Sequence, residues 1–413
     1  MRASLTLAFA LTVAVGCTGI YGDVSDLENK VGVHESAVPA DMNAEQYAVG
    51  FGFGGNVSSG VDFITVGNSQ AGVGLLSFDA DGSFTSSGQL LPTEITLDTR
   101  PPVAALSSAD GMGASVLVGM RRGDGTGFIG LFSPSGLPGN VDGLSVDRPV
   151  SGLAIGTTGI ATGTLNAVAV GTDLVTHVAD YENAATPLKC DLAGAKNVAV
   201  ADFVPGGDLE VALINGTSLV LLDPAGVLTD MMPCPLVQLT GADFSVEIDA
   251  AGGEGFADNV LVADFDGNGA PDVAVSHHSA DKVYAVLNPD GTAAPTVVSV
   301  GSDKTGALFG TSIAAGDLDG DGADELIVGA SNAGAGDQNG AGAVEIYKLV
   351  DGAFAMPPTV LNAAEPANGD TFGRSVGVAT FEGGKDVILV GADKKVFVYF
   401  REPVGNDDPR TGR

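Results

Sequence analysis

Basic residues are scarce. Lysine and arginine together number 18 against 51 aspartates and glutamates, for a formal charge of −33. A chain so short of positive charge lacks the basic face that nucleic acid requires, so nucleic acid is excluded as a partner. The surplus favours cations, basic partners or solubility. Histidine and cysteine are rarer still, with 4 and 3 copies. His277 and His278 are adjacent, but only His34 and His177 remain to join them, too few for a transition-metal centre. The pair reads as a strand end. HExxH, the P-loop and CxxC are all missing, no GxSxG nucleophile elbow is found ("GRSVG" at 373–377 has the letters but a strand pattern after it, not a helix), and no spacing suggests a Ser-His-Asp set. The expectation is a non-enzymatic protein, although catalytic groups can converge in space without a motif. "GFGFGG" at 50–55 fits G-x-G-x-x-G, but a turn-and-strand pattern follows it instead of the helix that dinucleotide binding needs.

Glycine, by contrast, is abundant at 61 residues, and hydrophobic residues make up 45% of the chain. The apolar content excludes a disordered acidic tail. Glycine disfavours helices, and so many of them without a collagen period point to a β protein rich in tight turns. One short apolar pattern recurs: "DFITVG", "ASVLVG", "NAVAVG", "EVALIN", "DVAVSH", "ELIVGA" and "DVILVG", ending at Gly67, Gly119, Gly171, Asn215, His277, Ala330 and Gly391. Similar runs precede and follow most copies. A weaker fourth run appears in places, such as "TVVSV" at 296–300 and "TEITLD" at 93–98. Seven units of about four short strands describe an all-β, seven-bladed β-propeller. A β-solenoid would use shorter repeats, and two β-sandwiches would not repeat seven times.

Two copies carry an acidic loop between their first and second runs. In "DLDGDGADE", side-chain oxygens fall at positions 1, 3, 5 and 9, on Asp317, Asp319, Asp321 and Glu325, and Ala323 at position 7 offers a carbonyl. "DFDGNGAPD" repeats the pattern with Asp264, Asp266, Asn268 and Asp272, and the carbonyl of Ala270. Alternate hard oxygen donors around a glycine turn follow the spacing logic of a calcium loop, and Ca²⁺ is the expected ion. Magnesium is disfavoured because it keeps its waters. The ion would be structural. The loop "DFVPGGDLE" keeps Asp202 and Glu210 but has Val204 and Gly206 at positions 3 and 5, so no metal is expected there.

The stretch "FGTSIAAGDLDGDGADELIVGAS" from Phe309 resembles the FG-GAP repeat of the integrin α-subunit propeller. Phe309-Gly310 matches the FG, and Gly329-Ala330-Ser331 the GAP with serine for proline. Copies from Phe256 and Phe372 resemble it too, the latter with a shortened loop lacking the aspartates. The resemblance implies a propeller of the integrin α N-terminal type, acting as a binding or adhesion module for a protein or glycan. Because FG-GAP repeats also accompany hydrolase and lyase domains, an enzyme or enzyme accessory module is the alternative.

At the start, "MRASLTLAFALTVAVGC" has an apolar run too short to span a bilayer in the mature protein. Its end resembles the lipobox of bacterial lipoproteins, which implies a signal at 1–16, lipidation of Cys17, and a membrane anchor at the outer membrane or cell surface. The other reading is an ordinary signal with an incidental cysteine. Cys190 and Cys234 then remain as a possible disulfide in an oxidising compartment, or as two unrelated buried thiols. The expected organisation is a tether at 17–40, a propeller at 41–403 and a polar tail at 404–413. After "KVFVYF" at 395–400 too little chain remains for an outer strand, so an N-terminal segment around "KVGVH" at 30–34 is expected to supply it.

Overall fold

The computed structural model describes residues 31–37, the strands between 53 and 107, and most of 114–401, without a break over 294–381. The signal segment with Cys17 and the tail at 404–413 lie outside the described residues. Those described form an all-β structure of antiparallel sheets, with one 3₁₀ turn at His278–Ala280 and no α-helix.

Among the described residues seven sheets have four or five strands, and all but the last are built from strands consecutive or nearly so in sequence. The fourth comprises Ala195–Ala201, Glu210–Asn215, Ser218–Leu222 and Ser245–Glu247. The fifth comprises Phe256–Ala263, Asp272–His277, Lys282–Leu287 and Thr296–Gly301. The sixth comprises Phe309–Gly316, Glu325–Ala330, Ala343–Tyr347 and Thr359–Leu361. First strands of successive sheets lie side by side, from Phe53–Gly54 through to Ser375–Phe381. This arrangement is consistent with a β-propeller.

The seventh sheet joins the two ends of the chain. Ser375–Phe381, Lys385–Ala392 and Lys395–Arg401 are completed by Val31–Ala37, which pairs antiparallel with the last of them from Val31↔Arg401 to Ala37↔Lys395. The outer strand thus comes from the N-terminal side, where the unpaired edge of "KVFVYF" required one. One expectation needs correction. Ile95–Thr96, within the run at 93–98, pairs with Arg121 and Arg122 of the second sheet, and the fourth strand of the first sheet is Phe84–Gln89. An outer strand is held by backbone bonds along one edge, so "FTSSGQ" carries little of the apolar pattern that would reveal it.

The recurring apolar runs are the second strands, and in the fourth to sixth sheets their composition follows from burial on both faces. Along Glu325–Ala330 every residue is buried. Leu326, Val328 and Ala330 pack toward the fifth sheet with Phe265, Ala274 and Phe309, while Ile327 packs toward the seventh with Phe372, Ile388 and Val390. Side chains alternate, so a strand between two neighbours is apolar at nearly every position.

The FG and GAP signatures are two sides of one contact between sheets. Phe309 and Phe372 are fully buried. The glycines that follow, Gly310 and Gly373, take φ of 86° and 81°, which disfavours a side chain. Gly329, of the "GAS" triplet, lies so close to the next sheet that a Cβ on it would fall 1.9 Å from the Gly373 carbonyl oxygen. The Ser312 hydroxyl donates to that same carbonyl at 3.0 Å, and one sheet earlier the Asn259 amide donates to the Gly310 carbonyl at 3.2 Å. In the copy that begins at Phe256, Ala257 stands where the glycine would be and still adopts φ 62°.

Cys190 and Cys234 are joined by a disulfide with Cα atoms 4.8 Å apart. Both are buried, and the bond ties the outer strand of the third sheet to the chain of the fourth.

Candidate metal centre

Each acidic loop links the first and second strands of its sheet. The two are wired alike. The position 1 carboxylate folds the loop around itself: Asp264 accepts from the N–H groups of Asn268 and Gly269 at 3.0 and 2.8 Å, and Asp317 from those of Gly320, Asp321 and Gly322 at 2.7 to 3.0 Å. Position 3 accepts from the position 5 N–H at 3.2 Å in both, Asp266 from Asn268 and Asp319 from Asp321. Position 5 in turn fixes the backbone of position 7, where Ala270 N–H donates to Asn268 Oδ1 and Ala323 N–H to Asp321 Oδ1.

Position 9 opens the second strand and is buried. Asp272 Oδ2 accepts from Phe265 N–H at 3.0 Å, and Glu325 Oε2 from Leu318 N–H at 2.8 Å. Neither residue has exposed surface. Burial pushes Asp272 up to about pKa 7, and the charges of Asp266 and Asp264 add to the rise. Burial pushes Glu325 up to about 8, with Asp319 next in effect. An acid is raised in this way when its charge is neither hydrated nor fully matched. Glu325 Oε1, enclosed within the protein, accepts no hydrogen bond.

The carboxylates converge. Oxygens of Asp264, Asp266 and Asp272 lie within 4.8 Å of one another, as do those of Asp317, Asp319 and Glu325. Each cluster could hold a metal ion. Asp321 is turned toward Lys348, so its carboxylate stands beside the second cluster. In the third loop Glu210 repeats the position 9 bond, accepting from the N–H groups of Phe203 and Val204 at 2.9 Å, and burial raises its pKa. The structure does not describe 205–209, and Asp202 belongs to no such cluster among the described residues.

Three residues that spacing did not single out matter here. Asp324, in neither donor set, joins the loops: Asp264 N–H donates to its Oδ2 at 2.8 Å, and its own N–H donates to the Asp264 carbonyl at 2.7 Å. Asn288 closes the first loop, donating its N–H to Asp272 Oδ1 at 3.0 Å and accepting from the Asn268 amide at 3.0 Å. Lys348 closes the second, with Nζ 2.5 Å from Asp319 Oδ2, 2.5 Å from Asp321 Oδ2 and 3.7 Å from Glu325 Oε1. Burial works against its ammonium, yet the two aspartates hold its pKa above the ordinary lysine value. The one advance signal for Lys348 was a basic residue directly after the strand in "AVEIYK".

The histidine pair lies at the other end of the fifth sheet's second strand. His277 Nδ1 is 3.0 Å from Asp249 Oδ2, which also accepts from the Tyr284 hydroxyl at 2.7 Å, and His278 Nδ1 is 3.0 Å from Asp258. Each ring has an aspartate of its own, and no metal-binding group forms around them among the described residues.

Residues 309–347 match the sequence model of the FG-GAP repeat. The match spans the sixth sheet from its first strand through its third and includes the acidic loop. No curated protein matches the chain.

Proposed function

We propose that this chain is a seven-bladed β-propeller that binds two calcium ions and serves, on the cell surface, as a non-enzymatic binding or adhesion module for a protein or glycan. A lipid on Cys17 would hold it at the outer membrane. The fold reading is supported by the seven multistranded sheets with adjacent first strands and by the N-terminal strand in the last of them. One observation carries the metal reading. Two successive loops arrange oxygens alike and end on a buried carboxylate whose charge the protein leaves incompletely matched. A hard divalent cation with many oxygen ligands supplies what is missing, and calcium tolerates such flexible loops better than magnesium.

Calorimetric titration of the mature protein tests this reading. Calcium should saturate two sites and magnesium should bind more weakly. Sites of the extracellular kind, with Kd near 10⁻⁴ to 10⁻³ M, would stabilise the fold by about 0.4 to 1.4 kcal/mol each at millimolar calcium. EGTA should therefore lower the melting temperature modestly. Absence of calcium binding, with a melting curve indifferent to EGTA, would overturn the reading. Cys17→Ser should release the protein from the membrane fraction or leave it unprocessed; normal detergent partitioning of this variant would refute the anchor. A glycan array and a surface-proteome pulldown then identify the ligand class.

A further inference from the structure

The two acidic loops share their wiring but differ in charge. At position 5 the first has neutral Asn268 and the second has Asp321. The extra carboxylate is matched by an extra ammonium from outside the loop. One step beyond the Leu326↔Tyr347 pair, the third strand of the sixth sheet presents Lys348 opposite Glu325. At the corresponding step of the fifth sheet stands Leu287, buried in the core, and the neutral Asn288 after it makes the contacts to the loop.

Lys348 lies where the donors of its loop converge. Its Nζ contacts position 3, position 5 and, at longer range, position 9. A divalent ion coordinated by the same oxygens needs that space. The lysine side chain is 27% exposed and the Asp321 side chain 48% exposed, so the ammonium has a path to solvent. Its four-carbon stem is flexible, and its charge is a compact point rather than a rigid fork. Glu325 Oε1, buried and accepting no hydrogen bond, shows that the ammonium leaves one donor incompletely served.

We infer that Lys348 is a resident counter-cation, displaced when calcium enters the 317–325 loop, and that it sets this site to a weaker, more exchangeable affinity than the 264–272 site. The inference rests on the calcium reading and concerns the regulation of one of its two sites. In low calcium the lysine keeps four carboxylates from repelling one another, and that blade stays folded. In high calcium the ion, with twice the charge and more ligands, takes its place. The 264–272 loop has no such substitute and responds at lower calcium.

Titration calorimetry with calcium chloride, on the mature wild type and on Lys348→Met, tests the inference. Wild type should show two classes of site. Lys348→Met should tighten the weaker class on the order of tenfold, as expected for removing a half-buried competing charge, and leave the stronger class unchanged. Its melting temperature should fall below wild type in EGTA yet approach or pass it in millimolar calcium; a merely structural lysine would lower both. Lys348→Arg should retain the weaker class, and Lys348→Gln serves if the methionine variant fails to fold. Identical isotherms for wild type and the neutral variants would overturn the inference while leaving two calcium sites standing. Absence of calcium binding in every variant would overturn the calcium reading and the inference together.

Discussion

The 264–272 loop and the 317–325 loop occupy the same place in adjacent sheets, and five hydrogen-bond relations recur between them position by position. They part company in charge at position 5, Asn268 against Asp321, and at the residues presented from the end of the third strand. There the first loop meets an amide, Asn288, and the second an ammonium, Lys348. Backbone wiring shapes a loop, but on the calcium reading the charge opposite would set how strongly it calls for an ion. Two loops that look interchangeable by spacing can therefore differ in when they fill.

The sharpest way to break the equivalence is at position 9. Asp272→Ala removes the acceptor for two backbone N–H groups, and Glu325→Ala the acceptor for one. Each variant should abolish calcium binding at its own site. In calcium, chemical denaturation should show a loss of about 1–3 kcal/mol, the cost of stranding buried donors, with the aspartate variant the more affected. A titration still showing two undiminished sites in either variant would contradict the assignment.

On the calcium reading, acidity should separate the calcium-loaded protein from the calcium-free one. Asp272 and Glu325 are raised by burial from ordinary carboxyl values to about 7 and about 8. A raised group contributes stability in full below its unfolded pKa and loses it as pH climbs through the folded value. In EGTA, stability should accordingly decline from about pH 4 to about pH 8. Calcium requires the ionised carboxylates, so its affinity should rise over the same range. The gap between melting temperatures with calcium and with EGTA should widen from pH 5 to pH 8, and a constant gap would refute this.

Asp324 tests whether the loops act singly or together. Asp324→Ala deletes the side-chain half of the reciprocal link to Asp264. It should cost about 1 kcal/mol and weaken calcium at both sites, although Asp324 belongs to neither donor set. Weakening at one site alone would show the loops to be independent. A smaller effect belongs to Ala257→Gly, which should stabilise the protein by about 0.5–1 kcal/mol by relieving a left-handed backbone. Asp202→Ala should leave the calcium response untouched.

The strand repeats were legible because a second strand buried on both faces, as in the fourth to sixth sheets, writes itself into the sequence as runs such as "ELIVGA" and "DVAVSH". The outer strands were legible only in part: "TVVSV" at 296–300 forms the outer strand of the fifth sheet, whereas "FTSSGQ", the outer strand of the first, has little apolar pattern to reveal it. The donor positions of each loop were legible because alternate oxygens around a glycine turn are a local property of nine residues. Local too was the missing edge after "KVFVYF", which implied a strand from elsewhere.

By itself, then, the sequence determined the all-β class, the repeat, the order of donors in each loop and the need for a strand to close the last sheet, all properties of short range or fixed period. Only the tertiary structure decided what faces those donors. Lys348 lies 23 residues beyond the end of its loop and is brought back by the antiparallel return of the third strand, and Asp324 reaches Asp264 across two sheets and 60 residues of chain. Charge compensation depends on distance in space, and no spacing along the chain records it.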